Sequence, residues 1–165
     1  MFLKIEFGTG SRFGRIPYKK ASELVSYAIK KGIRKFDTGN NYGNWKSEPL
    51  LGECLKDFLI NNREDYIISS KAGTYSKNNQ HSKNFDPQYI ENSIINSIKN
   101  LNSKYLDNFY LHGPNLSQIK TKSLIQKLKN LKKRGLIKNI GINTHEISLI
   151  EKISEGEIEE IDNLL

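Results

Sequence analysis

A single cysteine, Cys54, in 165 residues excludes an intramolecular disulfide framework and fits a reducing compartment. It falls on the apolar side of an expected helix, where it reads as a small buried hydrophobe rather than a reactive thiol. No run approaches the roughly 18 apolar residues of a membrane span. Residues 1–7 alternate charged with apolar side chains and have no signal-peptide architecture. The expectation is a cytoplasmic protein with no membrane contact. Chemistry is narrowed by absence too: no His/Cys/carboxylate cluster has metal spacing, and no serine or cysteine stands beside a base in a nucleophile arrangement.

Acidic residues are outnumbered, 18 Asp and Glu against 26 Lys and Arg, for a net charge of +8. Such a balance raises nucleic acid, an anionic membrane surface or an anionic cofactor as partners. The lysines are spread over nearly every expected helix and mixed with acids, so no basic stripe with interleaved aromatics emerges. The densest cluster, residues 127–134, keeps helical apolar spacing at Leu124, Leu128 and Leu131, and reads as a solvated helix face with cations near its C-terminus. No nucleic-acid partner is expected.

What the chain does contain is an alternation of strand and helix patterns. Apolar runs over residues 2–7, 33–36, 66–70, 108–111 and 136–142 read as strands, and residues 158–165 as the start of a sixth. Helical spacing over 19–31 buries Leu24, Val25, Ala28 and Ile29 before a stop at Gly32. A second helix starts at Ser47 with Pro49 in its first turn, and a third at the Asp86-Pro87 cap, lined by Ile90, Ile94, Ile95, Ile98 and Leu101. Further helices are expected over 116–134, stopped by Gly135, and over 146–154. A polar loop, 72–85, is long enough to cover a substrate. Parallel strands with helical crossovers give a doubly wound sheet or a barrel of eight strand-helix units. The whole chain, 1–165, reads as one domain, although a closed barrel usually takes about 250 residues.

The strand ends carry the chemistry. Asp37 closes the second strand, and the loop after it brings Tyr42. Lys71 follows the third strand, His112 the fourth, and Asn143-Thr144 the fifth. Ligands bind at the carboxyl ends of strands in such folds, and barrel curvature would gather these groups around one mouth. A buried ammonium needs a partner, and Asp37 is the natural one for Lys71. Tyrosine titrates near ~10 and works as an acid or base at neutral pH only when a cation stabilises its phenolate, which Lys71 would do. His112 would position a substrate oxygen against the hydroxyl. A carbonyl protonated in this way needs a hydride at carbon, so a nicotinamide cofactor completes the set. The turn Gly8-Thr9-Gly10 lets backbone approach a ligand.

Asp37-Thr38 with Tyr42-Gly43, Ser47-Glu48 and Leu51-Gly52, followed by Ser70-Lys71 and Leu111-His112-Gly113-Pro114, closely resembles the signature of the aldo-keto reductases. The resemblance implies a (β/α)8 TIM-barrel fold, incomplete here at about five units plus the start of a sixth strand. It implies a reductase of aldehydes or ketones using NADP, with NAD as the alternative. It assigns Tyr42 as general acid, Lys71 as the group lowering its pKa, Asp37 as the partner of Lys71, and His112 as the group orienting the carbonyl. Cofactor contacts are implied at Gly8, Thr9, Asp37, Asn143 and Thr144, the last two standing where many relatives have a serine-asparagine pair. In that family later strands bind the rest of the cofactor, so the chain is expected to be the N-terminal, C-terminally truncated part of a longer reductase. The competing expectation is a catalytically inactive binding or regulatory fragment. An open barrel would also expose backbone and apolar interior positions at its edges, and self-association through that edge is expected.

Overall fold

The computed structural model describes residues 5–77, 80–119, 121–156, 158 and 161–165. In chain order the elements are β1 (Glu6–Gly8), α1 (Gly10–Phe13), α2 (Tyr18–Lys30), β2 (Lys35–Asp37), α3 (Ser47–Asn62), β3 (Ile67–Ala72), β4 (Thr74–Lys77), β5 (Gln80–Lys83), α4 (Pro87–Asn100), β6 (Leu106–His112), α5 (Leu116–Ile119), α6 (Lys122–Lys133), β7 (Ile137–Asn143), α7 (Ile147–Ser154) and β8 (Asn163–Leu164). Six strands form one parallel sheet in the order β1-β2-β3-β6-β7-β8, and β4 pairs with β5 as a separate antiparallel hairpin. Each parallel step is joined by a helical crossover, which is the connection a parallel pair requires. This is the α/β, barrel-type architecture expected, open along β1 and β8 within the described residues.

Alternation along the strands sets the two faces. Phe36, Ile68, Phe109 and Ile140 point to the helices and are buried with Val25, Leu51, Leu55, Ile90, Ile94, Leu124 and Leu128 in one hydrophobic cluster. The opposite, inner face carries rows set by register. The lowest row holds Glu6, Lys35 and Ile67 from the first strands, with Leu106 and Ile137 paired beside them. Above it lie Gly8, Asp37, Ser69, Asn108 and Asn139, then Lys71, Tyr110, Gly141 and Asn163. His112 and Asn143 sit opposite each other at the top. Of the apolar interior expected for an open barrel, Leu106 and Ile137 are buried in the lowest row and Tyr110 two rows above it.

Local signals act largely as the sequence suggests. Asp86 caps α4 by accepting from the backbone N–H groups of Gln88 and Tyr89, with Pro87 at the first helical position. Gly32 and Gly135 end α2 and α6 in left-handed conformation, at φ 88° and 74°. Some expectations need correction. Leu24 and Ile95 are 43 % and 44 % exposed, so the buried stripes of α2 and α4 are narrower than the apolar spacing implied. The helix expected over 116–134 is broken, because Thr121 is extended and α6 begins only at Lys122. The loop 72–85 contains a hairpin. The first strand reaches Gly8, residues 2–4 lying outside the described ones, and the sixth is paired only over Asn163–Leu164.

Candidate active site

Asp37 and Lys71 come together on adjacent parallel strands. The Lys71 side chain is only 2 % exposed, and its Nζ donates to both Asp37 carboxylate oxygens and, at 2.9 Å, to the Thr38 carbonyl. That cradle satisfies all three ammonium donors, the condition for keeping such a charge buried. Burial pushes the Asp37 carboxyl up and the Lys71 charge pulls it back, leaving it above its ordinary value.

Tyr42 is delivered by the loop between β2 and α3, which is pinned at several points. Asn40 N–H donates to the Lys71 carbonyl, Tyr42 N–H to the Gly39 carbonyl, and Ser47 N–H to the Tyr42 carbonyl. The ring rests on Gly39, where an added Cβ would lie 3.1 Å from it. Tyr42 then meets His112 edge-on at 5.9 Å between centroids, with Lys71 Nζ 5.4 Å from its ring centre. Its hydroxyl makes no hydrogen bond among the described residues. Burial first, then the Asp37 carboxylate, push the phenol above its ordinary value. The net shift is upward, where the resemblance implied a lowering by Lys71. His112 is held down to about 4, by burial first and then by Lys71 and Lys83, so the imidazole is neutral at pH 7. Its Nδ1 is buried without a partner among the described residues.

The groups expected at a cofactor divide. Gly8 faces open space, nothing lying within 4 Å of an added Cβ. Asn143, beside His112 in register, makes no side-chain hydrogen bond among the described residues. Both fit the approach of a nicotinamide and its carboxamide. Thr9 is turned inward, its hydroxyl donating to Thr38 Oγ1 at 3.0 Å. Thr144 Oγ1 accepts from Glu146 N–H. Among the described residues no group of His, Cys, Asp and Glu is arranged to hold a metal ion, and no helix is long and apolar enough to cross a membrane.

Supporting residues that the sequence reading left without a site role surround this set. Ser47 is not a helix cap: its hydroxyl accepts from Gly14 N–H and donates to the Gly10 carbonyl, tying the loop after β1 to the Tyr42 loop. Glu48 is buried with its carboxyl pushed up by burial, and accepts from Ser70 Oγ at 2.6 Å and Asn100 Nδ2 at 3.2 Å. It locks the start of α3 to β3 and to the end of α4. Thr74 Oγ1 donates to the His112 carbonyl, so the hairpin leans on the histidine strand. Gly43, Asn44 and Trp45 follow Tyr42 in consecutive left-handed conformations, at φ 60°, 58° and 62°. Each non-glycine residue so placed costs about 1–2 kcal/mol. Such signals need three-dimensional contact to be seen, whereas the four strand-end groups are visible as polar residues terminating apolar runs.

A parallel, barrel-curved sheet whose carboxyl end gathers an acid, a lysine, a tyrosine and a neutral histidine defines an α/β barrel-type protein. The chain belongs to the aldo/keto reductase family, whose pattern it matches over residues 4–163. L-galactose dehydrogenase from Arabidopsis thaliana is 34 % identical over 81 % of this chain and 41 % of that protein. The NAD(P)H-dependent 6'-deoxychalcone synthase of Glycine max is 26 % identical over 82 % of this chain and 45 % of that one. The holo aldo-keto reductase of Bacillus halodurans shares the fold, with a TM-score of 0.83 at 23 % identity over 98 % of this chain and 52 % of that structure. The chain therefore spans about half the length of the proteins it matches. Aldo-keto reductases are oxidoreductases that use NAD(P)H.

Proposed function

We propose that this chain carries the catalytic face of an oxidoreductase that reduces an aldehyde or ketone to an alcohol, with Tyr42 as general acid. The observation that carries the reading is the stack of a buried Asp37-Lys71 pair beneath a tyrosine whose hydroxyl is unspent and whose ring meets a neutral histidine. A general acid must hold its proton until the transition state, and burial together with Asp37 keeps the Tyr42 phenol protonated at neutral pH. As the proton leaves, the Lys71 ammonium, 5.4 Å from the ring centre, faces the growing phenolate charge. His112, uncharged at pH 7, offers the carbonyl oxygen a neutral N–H donor and fixes its direction.

When bound, the reduced nicotinamide supplies the hydride. Asn143 would hold its carboxamide, and Gly8 would let the ring approach the strand end. NADP is the cofactor proposed, with NAD as the alternative, since no residue assigned here reads the adenosine end. Both supporting contacts rest on open space at Gly8 and an unspent amide at Asn143.

The test is NADPH oxidation by the purified chain with a panel of small aldehydes, compared with Tyr42→Phe. The variant is expected to lose turnover by about 10²-fold or more, the range for removing a general acid. Because the hydroxyl makes no hydrogen bond among the described residues, the variant's unfolding free energy in urea should stay within about 0.5 kcal/mol of the parent's. Unchanged turnover in Tyr42→Phe would overturn the assignment. A folded parent that binds NADPH without turnover would favour the binding or regulatory reading instead.

A further inference from the structure

Beside the Tyr42 loop lies an open cleft of about 910 Å3 that the reaction as described does not use. Its walls come from the loops after β1 and β2, at the carboxyl end of the sheet where Tyr42 and His112 also lie. Ser11, Arg15, Asn41, Gly43, Trp45 and Lys46 are among its lining residues, and Asn41 and Gly43 flank Tyr42 in the chain. Only two lining side chains are charged. Both are cations, and no carboxylate lines the cleft.

Those cations are unspent. Neither the Arg15 guanidinium nor the Lys46 ammonium forms an ion pair or hydrogen bond among the described residues, whereas Lys71, Arg63, Lys127, Lys132, Arg134 and Lys138 all have carboxylate partners. Two like charges facing one concave wall focus a positive potential there, and a guanidinium matches the planar oxygens of a carboxylate or phosphate. Asn41 also lines this wall, beside Tyr42 in the chain. Finally, the left-handed run Gly43-Asn44-Trp45 presents the indole at the cleft, and strained backbone of this kind gathers where a ligand is clamped.

We propose that this cleft receives the anionic group, carboxylate or phosphate, of a carbonyl substrate, with Arg15 and Lys46 binding the anion. This rests on Tyr42 acting on a carbonyl, since the cleft adjoins its loop. It makes Arg15 and Lys46 specificity residues.

Trp45 is the only tryptophan in the chain, so its fluorescence reports the cleft directly and without turnover. The ligands to titrate are two matched pairs, glucuronate with glucose and glyceraldehyde phosphate with glyceraldehyde, alongside inorganic phosphate and NADP. The anionic member of at least one pair is expected to bind about tenfold or more tighter than its neutral partner, as charge-assisted hydrogen bonds to two cations would produce. Arg15→Gln combined with Lys46→Gln should erase that difference; both side chains are exposed, so folding is not at stake. Equal binding within both pairs overturns the proposal, and so does a Trp45 response to inorganic phosphate or NADP as strong as to the sugar derivatives. Anion preference without NADPH oxidation would remove the reductase reading alone. Oxidation without anion preference would remove this inference alone.

Discussion

At the scale of single residues, the site depends on one charge compensating another. Lys71→Met would leave the Asp37 carboxylate in a pocket that already pushes its pKa up, with its one strong partner gone. Breaking a buried pair from one side costs about 3–5 kcal/mol. A comparable loss is expected in urea unfolding at neutral pH, with most of it recovered by adding Asp37→Asn; a Lys71→Met variant as stable as the parent would mean that the pair is not holding the strand ends together. His112 supplies a pH dependence of definite sign. Its folded-state value of about 4 lies below its ordinary 6.5, so between these values the unfolded chain binds more protons than the folded one. Its stabilising effect is complete above about pH 6.5 and declines as pH falls towards 4. The buried carboxyls Asp37 and Glu48, both pushed up, act in the opposite direction. Subtracting the curve of His112→Gln from that of the parent isolates the histidine, and a flat difference between pH 4 and 6.5 would show that it titrates normally.

Elements are held in place by contacts closer than side chains alone would permit. At Gly52 on α3, an added Cβ would stand 2.1 Å from the Asn100 carbonyl oxygen and 2.7 Å from the Leu101 Cα. Both are backbone atoms and cannot rotate aside. Gly52→Ala must therefore push α3 away from the end of α4, at the upper end of the ~1–3 kcal/mol typical of overpacking. One turn earlier, Glu48 bridges the same two helices through Asn100, and α3 leads directly out of the Tyr42 loop. The variant should consequently lose both stability in urea and turnover, and a fully active, fully stable Gly52→Ala would contradict the packing. This scale is also where the sequence was least informative. Periodicity located every parallel strand and the main helices, because Phe36, Ile68, Phe109 and Ile140 alternate with polar partners and the helix stripes face them. The β4-β5 hairpin was invisible, since its pairing is made by backbone in a stretch too polar to read as strand. The break at Thr121 was likewise masked by continuous apolar spacing. Asp37, Tyr42, Lys71 and His112 were legible as strand-end and loop groups, and so was the pairing of Lys71 with Asp37, but the burial that turns the expected shift of Tyr42 upward depends on packing that spacing does not encode.

For the molecule as a whole, the question is how a sheet with two open edges keeps its inner face compatible with water. The expected difficulty was exposed apolar interior, but across the middle of that face runs a connected polar ladder. Asn108 is its centre: Nδ2 donates to Ser69 Oγ, and Oδ1 accepts from both Asn139 Nδ2 and Asn163 Nδ2, each at 3.0 Å. Ser69 Oγ in turn points its hydroxyl towards Glu6 Oε1 at 3.4 Å, so the ladder runs from β1 to β8. Among the described residues the edges are also short, three residues in β1 and two in β8, which limits strand-to-strand templating. Self-association through the open edge should accordingly be weak, appearing in sedimentation only at high protein concentration. Asn108→Leu tests the argument. It leaves three polar groups without their partner, at a cost of about 1–3 kcal/mol for the half-buried set, and places an apolar side chain in the middle of the face. β8 then keeps only its backbone bonds and the Asp162 contacts to Ile140 and Lys132. Amide exchange at Asp162 and Leu165 should accelerate relative to β6, and larger species should appear in sedimentation at concentrations where the parent runs at 19.0 kDa. If exchange at β8 and the sedimentation profile both match the parent, the ladder is not what keeps the open sheet in order.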